Sequence, residues 1–159
     1  MKNSFDYRSI KTFEDACKHL GLNAEAINRK YQFLPDHIIS FIKLEIITKA
    51  LNDGWQNSLR CDEYSYYNYC YTLTDSEAEE WNWNDRVKIH YQRPDGSCGL
   101  ASAYSGNAWS HSPAYIGSRL AYRSRKLAFY SLETFPLLWE SFWFPQEWHR
   151  EIKPGIEEW

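Results

Sequence analysis

The stretch Tyr115 to Phe144, YIGSRLAYRSRKLAFYSLETFPLLWESFWF, joins an alternating segment to the longest aromatic-rich helical pattern in the chain, and its reading decides the fold. In its first part Ile116, Ser118, Leu120 and Tyr122 alternate with Tyr115, Gly117, Arg119, Ala121 and Arg123, the two-residue period of a strand. Ser124 follows as a helix cap, because its hydroxyl accepts from the free N–H groups of a first turn. Leu127, Ala128, Leu132, Phe135, Leu138, Trp139 and Phe142 then recur at three- and four-residue intervals, which predicts one apolar helical face. Arg125 and Lys126 stand in the first turn, where the macrodipole disfavours cations, so order there must come from packing. Pro136 lacks the N–H that would bond the Leu132 carbonyl, which predicts a kink or two short helices meeting near Thr134 to Pro136.

Working outward, Thr12 caps a short helix from Phe13 to Leu20 that closes at Gly21, and Ala24 to Lys30 make a second helical turn. Asp36 is the expected cap of the clearest core helix, 36–51, with Ile38, Ile39, Phe41, Ile42, Ile46, Ile47, Ala50 and Leu51 as its apolar set. Asn52-Asp53-Gly54 ends it, and Trp55 is placed to pack back on its last turn. Tyr64 to Leu73, YSYYNYCYTL, reads as a strand with Tyr67, Tyr69, Tyr71 and Leu73 on one face. Val87, Ile89 and Tyr91 alternate with polar residues in a second strand, and Arg93-Pro94-Asp95-Gly96 turns the chain into a partner near Cys98 to Tyr104.

The fold expected from these elements is α+β, a small antiparallel sheet with helices 36–51 and 124–143 packed on one face. The 159 residues form a single domain, 1–159, in which 145–159 is an aromatic-rich C-terminal tail. A net charge of −3 argues against a strongly basic nucleic-acid binder, while aromatics at 18% of the chain require packing, binding or both. The first residues, MKNSFDYRSIKTFEDA, hold no apolar signal run. No later stretch offers the roughly 20 uncharged residues a bilayer span needs, so no membrane association is expected. Cys17, Cys61, Cys70 and Cys98 are widely spaced, which favours reduced thiols in a cytoplasm over a disulfide framework.

KALNDGW (49–55), EYSYYNY (63–69) and GSRLAYRSRKLAFYS (117–131), in that order, resemble a group of small proteins encoded by Bacteroidetes genomes and their phages. The resemblance covers the middle and late parts of the chain. It implies a phage or mobile-element accessory protein, in the cytoplasm of a bacterial host, and its blocks contain no catalytic signature.

Three functional readings follow from the residues. The leading one is a protein-interaction module, with a protein partner or self-association, whose anchors are Trp109, Trp143, Phe144, Trp148 and Trp159, because exposed Trp and Phe bury much area at low entropic cost. The second is single-stranded nucleic-acid binding, in which Arg86, Lys88, His90, Arg119 and Arg123 form a basic strip beside tyrosines on which bases stack. The third is a small enzyme with a site near the 105–113 loop, where His111 stands between Ser110 and Ser112 and would work with Asp95 or Cys98 if the fold places them within hydrogen-bond reach. No Walker, dinucleotide or G-x-S-x-G pattern supports catalysis, so a non-enzyme without cofactor is the expectation. Cys61, Cys70, Cys98, His90 and His111 lack the paired close ligands of structural zinc sites, and no metal is expected.

Overall fold

Local chemistry at the helix ends sets most of the architecture. In a computed structural model of the protein, the described residues are 5–56, 65–68, 71–73, 87–92, 99–103, 106–108 and 118–143, with side chains described over 5–56, 65–68 and 119–143. Helix α1 (Phe13–His19) starts with a capping box: Thr12 Oγ1 accepts from the Asp15 N–H, and Asp15 Oδ2 accepts from the Thr12 and Lys11 N–H groups, each at 3.0 Å. Those bonds hold the Asp15 carboxyl below its ordinary value, the Lys11 N–H contributing most. The helix ends where Gly21, at φ +68°, lets the Leu22 N–H return to the Cys17 carbonyl at 2.8 Å. Asn23 Oδ1 accepts from the Ala26 N–H and caps α2 (Ala24–Tyr31).

Helix α3 (Asp36–Asn52) begins differently from expectation. Its N-cap is Pro35, with no side-chain cap bond, and Asp36 is already the first helical residue. There the carboxylate still favours the positive helix end through the macrodipole without closing a hydrogen bond. At the other end Asp53 is left-handed at φ 47° and Gly54 follows at φ 82°, so the expected Asn52-Asp53-Gly54 stop is present. Trp55 packs against the core, its N–H donating to the Asn52 carbonyl at 3.1 Å.

In the stretch that opened the sequence reading, helix α4 (Arg125–Thr134) starts at Ser124, whose Oγ accepts from the Leu127 N–H at 3.4 Å, and helix α5 (Pro136–Trp143) starts at Pro136. The break falls where the missing proline N–H requires it, with Phe135 as the joint. The expected strand before Ser124 is a correction. Residues Ser118–Leu120 form a 3-10 turn, and Leu120, Ala121 and Tyr122 are buried in succession rather than alternately. A segment covered on both sides has no solvent face, and period-two alternation says nothing about such a segment. Its extended part is a single antiparallel bridge, in which the Tyr66 and Tyr122 backbones exchange bonds at 3.0 and 2.8 Å.

The α+β arrangement with helices 36–51 and 124–143 on one face of an antiparallel sheet is overturned. The residues whose side chains are described are mostly helical, with five α-helices and one strand, β1 (Ser65–Tyr67), and among them no sheet forms a layer beneath those helices. Helix α3 packs against α1, α4 and α5, and α4 packs on α5. Tyr67 is the only strand side chain in the core among the described ones. The reason lies in α3 itself: apolar residues surround it, so it must be covered from several sides, and three helices supply that cover. The other strands, β2 (Tyr71–Leu73), β3 (Val87–Gln92), β4 (Gly99–Ala103) and β5 (Gly106–Ala108), are short. Strand β1 pairs antiparallel with β5, while β2, β4 and β3 make a separate antiparallel ladder in that order. The hairpin expected across residues 93–96 is thus present as the β3–β4 pairing, whereas the strand expected over 64–73 is split into β1 and β2, which lie in different ladders.

The core gathers Ile10, Phe13, Ala16 and Cys17 from the N-terminal segment, Leu44, Ile47, Ala50 and Leu51 from α3, and Leu127, Ala128, Leu132 and Trp139 from α4 and α5. Ile46 and Leu138 are half-buried against it. Ile42 is only half-buried and lies outside the cluster, although the sequence pattern put it in the core; Val87 is outside the described side chains. An aromatic contact crosses the α3–α5 seam, with Phe41 5.5 Å from Phe142, and within α5 Trp139 lies 4.7 Å from Trp143. The N-terminal segment is strapped to α4 by Tyr130, whose hydroxyl lies 2.9 Å from the Ile10 carbonyl and 3.2 Å from the Arg8 carbonyl, and whose ring meets Tyr7 edge-on. Among the described residues, no helix is long and apolar enough to cross a membrane.

Candidate functional site

Two surfaces with opposite chemistry lie toward the two ends of α3. The C-terminal one is built on a buried polar seam. Trp139 Nε1 is donor-only and donates to Ser131 Oγ at 3.1 Å; the Tyr122 hydroxyl donates to the same oxygen at 2.7 Å and accepts from Thr48 Oγ1 at 3.0 Å. Burial pushes the Tyr122 phenol up to about 12, against the Ser131 and Thr48 hydroxyls, which pull it back. The phenol therefore stays protonated at neutral pH and serves packing rather than acid–base chemistry.

Asn52 extends the seam. Its Nδ2 donates to the Ala121 carbonyl at 2.8 Å and its Oδ1 accepts from the Arg123 N–H at 3.1 Å, so one side chain stands in for a neighbouring strand. Held by Asn52 on one side and Tyr66 on the other, segment 119–123 makes one wall of a cleft of about 410 Å³, facing Glu45, Lys49 and Trp55, with Leu20 beside them. Lys49 Nζ is 2.8 Å from Glu45 Oε1, one helical turn away. Arg119 is exposed and has no ion-pair partner among the described residues.

The N-terminal surface is apolar. Phe33 is 87% exposed, and Leu34 and Ile38 on either side of Pro35 are exposed with it. On α5 Leu137 is 73% exposed. Solitary exposed apolar residues are ordinary, but three within six positions at an uncapped helix start form a patch with no cover among the described residues. Sequence reading missed it because Ile38 fits the apolar period of α3 and was assigned to its core; the usable signal was Phe33-Leu34-Pro35, two large apolar residues in a turn.

Of the interaction anchors expected from sequence, Trp143 is half-buried on Trp139 and Phe142, so it serves the core and offers a partner only its outer face. Trp109, Phe144, Trp148 and Trp159 lie outside the described residues. Of the basic set, Arg119 and Arg123 are both exposed on the segment that Asn52 pins. Lys88 and His90 belong to β3, whose side chains are not described, and Arg86 lies outside the described residues together with most of the 105–113 loop. Cys17 is buried, and burial pushes its thiol up, away from nucleophilic use. No group of three His, Cys, Asp or Glu able to hold a metal occurs among the described residues. No family model matches the chain, and neither a curated protein nor a solved structure is detectably similar to it.

Proposed function

We propose that the protein is a protein-interaction module that engages its partner, or a second copy, through exposed large apolar side chains. The observation that carries this reading is Phe33, 87% exposed beside exposed Leu34 and Ile38. Aromatic anchors contribute disproportionately to binding when a pocket on the partner desolvates them, and a phenyl ring left in water contributes nothing to the fold that carries it. The cytoplasm of a bacterial host and a role as a phage or mobile-element accessory protein belong to the same proposal. They rest on the three sequence blocks and on the spread-out cysteines. Single-stranded nucleic-acid binding is the second reading, supported by the exposed Arg119 and Arg123 on one segment.

A photo-crosslinking amino acid at position 33 of the full chain tests the module. Irradiation of producing host cells should give one adduct of defined mass, absent when the same group replaces the exposed Glu25, and Phe33→Ser should show no competition for that adduct when co-expressed. Adducts at both positions, or at neither, would defeat the proposal.

A further inference from the structure

The cleft beside the C-terminal half of α3 is distinct from the apolar patch, its α3 residues lying about 10–20 Å from Ile38 along a helix that rises 1.5 Å per residue. Its floor offers a ligand few polar groups. The Thr48 hydroxyl is committed to Tyr122, and both ends of the Asn52 amide are committed to the backbone of 121–123. The walls from Leu20, Ala121 and Trp55 are apolar. The remaining polar side chains of the lining are Gln56, which is neutral, Glu45 and Lys49, which largely neutralise one another at 2.8 Å, and Arg119, whose positive charge has no ion-pair partner among the described residues.

We propose that this cleft binds a planar aromatic carboxylate of one or two rings, its ring against Trp55, Leu20 and Ala121 and its carboxylate on the Arg119 guanidinium. The volume decides the size: small-ligand sites span roughly 300–1,000 Å³, and this one falls at the lower end, room for a ring system rather than a polymer segment. The charge decides the headgroup. One guanidinium matches one carboxylate in a two-bond fork, whereas a phosphate dianion beside Glu45 would be left half-neutralised. Arg119 is exposed and unpaired among the described residues, so its pairing with a ligand breaks no interaction described within the protein.

The full chain labelled with 5-fluorotryptophan gives one ¹⁹F line for each of its eight tryptophans, and Trp55→Phe identifies the line of interest. Indole-3-carboxylate should move that line saturably, with half-saturation below roughly 1 mM, while the neutral indole-3-carboxamide should bind roughly tenfold more weakly. Arg119→Gln should weaken the carboxylate by a similar factor, leave the carboxamide unchanged and keep the wild-type melting temperature, since the side chain is exposed. Inorganic phosphate should not compete. No saturable shift of the Trp55 line, equal binding of acid and amide, or an Arg119→Gln variant that binds the acid as before would each overturn the assignment.

Discussion

At its C-terminal end α3 is held by side chains of its own sequence acting at long range, Thr48 on Tyr122 and Asn52 on the backbone of 121–123. At its N-terminal end it starts at Pro35 with no side-chain cap, between an exposed Leu34 and an exposed Ile38. The same helix is therefore a keystone at one end and an apolar display at the other. Burial explains the difference. Where α3 meets α4, α5 and segment 119–123, a polar group without a partner would cost its full desolvation, and Thr48 and Asn52 are both partnered there; near the N-terminal end the buried His37 Nδ1 has no partner among the described residues, and the side chains beside it face water.

This contrast can be broken by mutation, and the largest effect belongs to the closed end. Trp139→Ala should destabilise the protein by about 3–5 kcal/mol in urea denaturation, since it empties a fully buried site and removes the indole donor to Ser131. A loss under about 1 kcal/mol would mean that α5 is not seated on α3 as described. Asn52→Ala should cost about 1–3 kcal/mol, because the Ala121 carbonyl loses its partner inside the core and the Arg123 N–H loses its own. Asn52→Asp is the sharper variant: a carboxylate still accepts from Arg123 but sets an acceptor and a buried charge against the Ala121 carbonyl, so it should cost at least as much as the alanine.

A smaller, pH-dependent effect comes from Tyr122. Its phenol rises from 10.0 to about 12 on folding, so between those values the native chain holds a proton that the unfolded chain gives up. The stability from that burial is fully present below pH 10 and is lost as pH rises through about 12. Urea melts across this window should fall more steeply for the wild type than for Tyr122→Phe; identical slopes would place the alkaline sensitivity elsewhere. At the open end the expected stability change is the smallest. Phe33→Ser should alter unfolding by no more than about 0.5 kcal/mol while failing to compete for the crosslinked adduct, and a large loss of stability would show that Phe33 belongs to the fold.

How much of this was legible beforehand depended on range. Capping at Thr12 and Ser124, the stop at Gly21 and the break at Pro136 were all readable, because each rests on a hydrogen bond or a forbidden one within about four residues. The face that α3 buries was not. Its buried set includes Ser40, Thr48 and Asn52 while Ile38 is exposed and Ile42 half-buried, a stripe that hydrophobicity alone rotates toward the isoleucines. The cleft was equally hidden, since Lys49, Trp55 and Arg119 meet only when Asn52 draws residues 121–123 across some seventy positions of chain. Sequence by itself determined where the helices start and stop, the uncapped start of α3 at Pro35 excepted, since those signals act between neighbours along the chain. Tertiary structure alone decided that α3 is covered by helices rather than by a sheet, and that 118–123 is a turn and a pinned segment rather than a strand. Burial on two sides comes from distant elements, and a periodic pattern records only the contrast between one covered face and one face in water.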